Sequence, residues 1–120
     1  MNLKKLIRSL RPEGSVSDRI RSIFQGDERR EYTFPHIVQK VRPTPIEEVA
    51  AALAELTEKS EIEKILRVES PTNAGGIGDF HNAQEIPAEI YDFRADRVIQ
   101  VYPENVRVIF RGKNPARRRA

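Results

Sequence analysis

The chain has no cysteine and no tryptophan, one methionine and two histidines in 120 residues. Without cysteine, disulfides and thiolate zinc sites are excluded. No apolar run approaches the roughly 20 residues of a membrane span, so no membrane partner is expected. The opening stretch MNLKKLIRSLRPEG lacks an uninterrupted apolar core and a small-residue cleavage site. It does not read as a secretory signal, and a cytoplasmic protein is the default expectation. AGGIGD at 74–79 has no following Lys-Ser/Thr and opens no helix, so it is not a phosphate loop. Gly75, Gly76 and Gly78 read there as loop flexibility and positive φ.

What is present suits a charge-rich globular domain. Hydrophobic residues make up 38% and charged residues 32%. The length fits one domain with a modest core. The net charge of +3 hides a segregation. Residues 1–42 carry ten Lys/Arg against five Asp/Glu, residues 43–104 five against thirteen, and residues 105–120 six against none. Basic ends thus flank an acidic middle.

Periodicity gives the elements. Leu3, Leu6, Ile7 and Leu10 form a helical stripe, so 1–14 reads as an amphipathic helix with Lys4, Lys5, Arg8 and Arg11 on its other side. SVSDRIRSIF reads as a second helix, with Ser15 and Asp18 at capping-box spacing and Gly26 as its stop. RREYTF predicts a short strand. TFPHIVQKV predicts a short helix capped by Thr33, with Ile37, Val38 and Val41 inward. TPIEEVAAALAELTEKS predicts a longer helix with Thr44 as cap, Pro45 at its first position and Glu47 completing a capping box. Its expected buried stripe is Ile46, Val49, Ala50, Leu53 and Leu56. EIEKILRVESP predicts a strand, TNAGGIGDFHNAQE a loop, and IPAEIYDF the strand that closes the hairpin. RVIQVYPENVRVIFR predicts a further hairpin turning at Pro103-Glu104-Asn105, Asn105 tolerating a left-handed conformation. Val106, Val108 and Phe110 are its expected buried face, and GKNPARRRA a disordered basic tail.

The order helix, small strand, helix, longer helix, strand, Gly-rich loop, strand resembles the winged-helix fold. REYTFPHIVQKV, TPIEEVAAALAELTEKSEIEKILRVESP and EIPAEIYDF carry the likeness. ILRVESPTNAGGIGDFHNAQEIPAEIYD also resembles small winged-helix modules attached to bacterial signalling and defence proteins. The expected fold is therefore α+β: a winged helix-turn-helix at 15–96, an extra N-terminal helix at 1–14, a C-terminal β-hairpin at 97–111 and a tail at 112–120. The resemblance implies binding to DNA, or to protein where DNA contact has been lost; fold alone does not choose.

Charge argues against the groove. A winged helix reads bases with Arg, Lys, Asn or Gln on its recognition helix. Here that face is Glu47, Glu48, Ala51, Glu55 and Glu58, and between Val68 and Phe93 stand acids but no Lys or Arg. Most DNA affinity comes from cations that neutralise phosphates. The expectation is a non-enzymatic protein-interaction module, an adaptor or regulatory subunit. Glu47, Glu48, Glu55 and Glu58 would meet a partner with a basic surface, possibly a second copy of the chain, and Phe80 or Phe93 would anchor it. The plain alternative for the Glu row is a solvated face. The other is a DNA-binding regulator touching phosphates through Lys4, Lys5, Arg8, Arg11, Arg19, Arg21, Arg29, Arg30, Arg117, Arg118 and Arg119.

No catalytic residue, metal or cofactor is expected. His36 reads as a surface or packing residue. His81, near Asp79 and Glu85, offers one imidazole and spaced carboxylates, a poor ligand set. The hydroxyl side chains lie near no evident base. Phe24, Phe34, Tyr91, Tyr102 and Phe110 are expected inward.

Overall fold

The computed structural model describes residues 14–26 and 29–113. The expected N-terminal helix, apart from Gly14, and the basic tail from residue 114 lie outside the described residues. Three helices and six strands follow in an α+β order: α1 (Val16–Phe24), β1 (Glu31–Thr33), α2 (Phe34–Lys40), α3 (Ile46–Glu58), β2 (Ile62–Glu69), β3 (Gly76–Phe80), β4 (Glu89–Asp92), β5 (Arg97–Gln100) and β6 (Val106–Gly112).

The helices start where local chemistry satisfies their first N–H groups. Ser15 Oγ accepts from Asp18 N–H at 3.1 Å while Asp18 accepts from Ser15 N–H at 3.3 Å, so α1 has its capping box with Asp in the acidic position. Thr33 Oγ1 accepts from His36 N–H at the head of α2. At α3 the expected cap is not made. Pro45 is the N-cap and no side chain caps the helix. Thr44 Oγ1 instead accepts from the Arg19 guanidinium at 2.7 Å. The same guanidinium donates to the Val41 and Arg42 carbonyls, so α1 clips the α2–α3 turn.

The four-stranded sheet is antiparallel in the order β1-β6-β2-β3. The last strand in sequence lies between the first two. This corrects the expected pairings. The partner of β2 in its hairpin is β3, built from the Gly-rich stretch read as loop. β4 pairs with β5 in a separate two-stranded ribbon, so β4 does not close a hairpin with β2, nor β5 with β6. Pro103–Asn105 is a 3-10 turn with no left-handed Asn, and Gly112, expected in the tail, ends β6. Gly75 has the anticipated positive φ. Gly76 and Gly78 matter instead for closeness: an added Cβ would stand 2.7 Å from Arg67 Cδ and 2.9 Å from Ile90 Cδ1 respectively.

One side of the sheet carries two apolar clusters. At one end Ile20, Phe24, Tyr32, Ile37, Val41, Val49, Ala52, Leu53, Leu56, Ile62 and Phe110 bury the three helices against β1, β2 and β6. At the other end Val68, Ile77 and Ile99 form a smaller cluster, with Phe80, Ile86, Ile90, Val101 and Val106 against it. Tyr32, unassigned from sequence, is central to the first cluster and meets Phe24 edge-on at 5.3 Å. Tyr91 and Tyr102, expected inward, are exposed.

The opposite side of the sheet is ionic. Arg67 on β2 holds Glu31 on β1 at 2.6 and 2.7 Å and Asp79 on β3 at 2.8 and 3.0 Å. Because β6 lies between β1 and β2, the Arg67–Glu31 pair spans that strand. Arg111 joins Glu63 and Arg107 joins Glu69. Ile65 and Ile109, directly opposite each other in register, are buried amid these charges. Ile109 was expected on the wet face, and Val108, expected buried, is exposed.

Candidate functional site

The helix α3 presents the acidic face that its spacing implies. Val49, Ala52, Leu53 and Leu56 point into the core. Glu47, Glu48, Ala51, Glu55 and Glu58 are all exposed. Glu47 and Glu48 sit in the first turn, where the helix dipole favours negative charge. Glu55 accepts from Lys59 Nζ at 2.8 Å, one turn on, and that hydrogen bond holds its carboxyl below the ordinary value. Both partners are exposed, so this pair contributes little stability.

The buried arc differs from the expected one. Ala52 is buried in place of Ala50, and Ile46 is 56% exposed. The helix is thus rotated about its axis relative to the expected stripe. Ile46, Ala50 and Ala54, four residues apart, form an apolar shoulder beside the Glu row. The floor next to this shoulder is a shallow cleft of about 410 Å³ lined by Phe34, Ala50, Leu53, Ala54, Phe110 and the rim of Glu58 and Lys64, among others. A second cleft, lined by Phe34, Val38 and Ile46, adjoins it through Phe34. Sequence reasoning missed this shoulder. Its signal was present: Val49, Ala52, Leu53 and Leu56 alone complete a buried arc, which leaves Ile46 and Ala50 at its edge.

Several carboxylates of the β2–β3 hairpin and the segment after it are spent internally. Arg67 takes Asp79, and Arg107 takes Glu69. The hydrogen bond from Arg67 holds Glu31 and Asp79 below the usual carboxylate range, and the same hydrogen bonds, aided by the two charges, push the guanidinium upward. Asp92 is fully buried and accepts from Ser70 Oγ at 2.5 Å and from the N–H groups of Arg94 and Ala95. Burial opposes its charge; those hydrogen bonds, with Arg97 nearby, outweigh burial and lower its pKa. Phe80, expected as an anchor, is half-buried against the second cluster. Phe93 stays 58% exposed, with Arg94 over its ring.

The cations expected to touch phosphate divide similarly. Lys4, Lys5, Arg8, Arg11, Arg117, Arg118 and Arg119 lie outside the described residues. Arg19 is committed to the α2–α3 turn. Arg21 holds Asp18 at 2.5 Å and Glu61 at 3.0 Å. Arg30 lies 3.5 Å from the Tyr32 hydroxyl, and Arg29 is exposed. His81 faces Glu63 at 3.6 Å. Among the described residues no group of three His, Cys, Asp or Glu is placed to share a metal ion. No described helix is long and apolar enough to cross a membrane. No family of known proteins, no curated protein and no solved structure matches the chain.

Proposed function

We propose that the chain is a non-enzymatic interaction module of winged-helix type, an adaptor or regulatory subunit whose third helix receives a basic protein partner. One observation carries this reading: the exposed side of α3 combines a row of glutamates with a contiguous apolar shoulder. An amphipathic segment with lysines or arginines beside its apolar stripe complements both features. Its apolar residues would cover Ile46, Ala50 and Ala54, and its cations would meet Glu47 and Glu58. The charge steers encounter and sets register, and apolar burial supplies most of the affinity. The order α1-β1-α2-α3-β2 supports the winged-helix reading, with α2 and α3 as the helix-turn-helix.

DNA docking through α3 is disfavoured by the same surface. Its glutamates would face phosphates at a cost of a few kcal/mol. Arg19 and Arg21 would have to leave internal partners to help.

Fluorescence anisotropy with two labelled probes tests the proposal: a Lys/Leu amphipathic helical peptide and a mixed-sequence DNA duplex. The wild type is expected to bind the peptide, and Glu47→Lys with Glu58→Lys to lose most of that binding. Duplex binding should be weak and erased at about 0.15 M salt. Tight duplex binding by the wild type that survives this salt, or peptide binding indifferent to both reversals, overturns it.

A further inference from the structure

The β4–β5 ribbon has an open edge. Val101 N–H donates to the Ala88 carbonyl at 2.9 Å, which extends the ladder register of Ile90 with Ile99 and Asp92 with Arg97. In an antiparallel ladder these are the hydrogen-bonded pairs, and the residues between them point their N–H and C=O groups the other way. The backbone groups of Val98 and Gln100 therefore face away from β4. No further strand covers them among the described residues. Beside this edge runs a cleft of about 520 Å³, lined by the four residues of β5 together with Pro71, Tyr102, Glu104 and Asn105.

The edge has some of the usual protections, being four residues long with Arg97 at its start, but not others. β5 contains no Lys, Pro or bulge, and its sequence RVIQ is β-prone. Val98 is 62% exposed, and Tyr91 and Tyr102 are each about half exposed. Both phenol hydroxyls are already committed, Tyr91 to Asp96 and Tyr102 to Gln100. Their rings are thus held in place before any partner arrives, which lowers the ordering entropy of a contact.

We propose that this edge of β5 pairs antiparallel with the same edge of a second copy, joining two ribbons into one four-stranded sheet. A two-fold axis at Ile99 sets Val98 opposite Gln100 of the second copy and Gln100 opposite Val98 of the second copy. Every outward backbone group of those two residues then has a partner. The register sets Arg97 opposite Val101 of the second copy and Asp96 opposite Tyr102 of the second copy, so no like charges oppose each other. Arg97 opens β5, Glu104 stands in the 3-10 turn that follows the strand, and both line the cleft. Antiparallel pairing reverses the strand, so the basic start of each copy approaches the acidic turn of the other. This self-complementarity is what a two-fold contact requires and selects a second copy over an unrelated strand. The contact does not involve α3.

Sedimentation equilibrium of the full chain over a wide concentration range tests it. The wild type is expected to dimerise with concentration. Val98→Pro should remain monomeric, because it removes an outward N–H and no bond of the β4–β5 ladder. A second readout covers any disturbance of the ribbon by proline. The chain has no cysteine, so Val98→Cys with Gln100→Cys should give covalent dimers with a short bis-maleimide, and Val108→Cys should not. A wild type that stays monomeric throughout, without cross-linking of the paired cysteines, overturns the proposal. So does a dimer that survives Val98→Pro and dissolves in Glu47→Lys/Glu58→Lys, which would put the contact on α3.

Discussion

The helical half and the segment from Ser70 to Asn105 are held by different forces. Eleven buried side chains join α1, α2 and α3 to the sheet in one cluster. Three buried apolar residues serve the later segment, Val68 contributed by β2 itself. Polar ties make up the difference there. Ser70 and the turn amides hold Asp92, Asn73 Nδ2 donates to the Arg94 carbonyl, Arg97 donates to Thr72, and Arg67 grips Asp79. Apolar burial is indifferent to pH and to the identity of any one charge; a polar lattice is not. The segment after β2 is therefore the part of the molecule that conditions should loosen first.

The contrast breaks most severely from the apolar side. Leu56→Ala should cost about 2–5 kcal/mol in urea denaturation, because Leu56 is fully buried where α3 meets the other helices. Both halves should unfold together in that variant, since β2 belongs to both clusters. Arg67→Met should cost less, about 1–2 kcal/mol, because the pair is only partly shielded from water. It leaves Glu31 and Asp79 without their shared cation.

Acid sharpens the same comparison. Glu31 and Asp79 have folded pKa values below their unfolded ones. Their contribution is complete above the unfolded values of about 4 and is lost as pH falls through the lower folded values. Urea midpoints measured from pH 6 down to pH 3 should fall for the wild type and fall less steeply for Arg67→Met. A finer effect is local. Asp92→Asn should raise amide exchange at Arg94 and Ala95 while α3 amides keep their protection; equal acceleration in α3 would erase the distinction between the halves. The smallest change concerns the α2–α3 turn. In Thr44→Val, Arg19 loses one acceptor and keeps the Val41 and Arg42 carbonyls. A loss of a few tenths of a kcal/mol is expected, against the roughly 1 kcal/mol of a lost helix cap.

Legibility in the sequence followed the same division. Ser15 with Asp18, Thr33 ahead of Pro35, and the spacing of Val49, Leu53 and Leu56 are local signals, and each element they imply is present. The Glu row of α3 was legible because a helical wheel places it outward. The shoulder beside it was missed because alanine weighs equally on either edge of an apolar arc, and the expected stripe held Ala50 in place of the buried Ala52. Strand partners were hidden for a different reason. Gly76 and Gly78 have poor strand propensity, yet they make β3 possible by clearing space for Arg67 and Ile90, which arrive from other strands. Nothing near Val106 says that β6 will lie between β1 and β2. Phe80 followed the error: assigned to a loop, it looked free, and in β3 it faces the second cluster.

The placement of β6 also orders events during synthesis. Glu31 must await Arg111, its register partner, for eighty residues of translation. Until then β1 and the inner edge of β2 emerge from the ribosome with open backbone groups, and Phe110, the cross-strand partner of Tyr32, does not yet exist. A nascent chain halted before Val106 can form its helices but not close its sheet. The interval between those points is when a chaperone, or a neighbouring nascent chain, would find it most receptive.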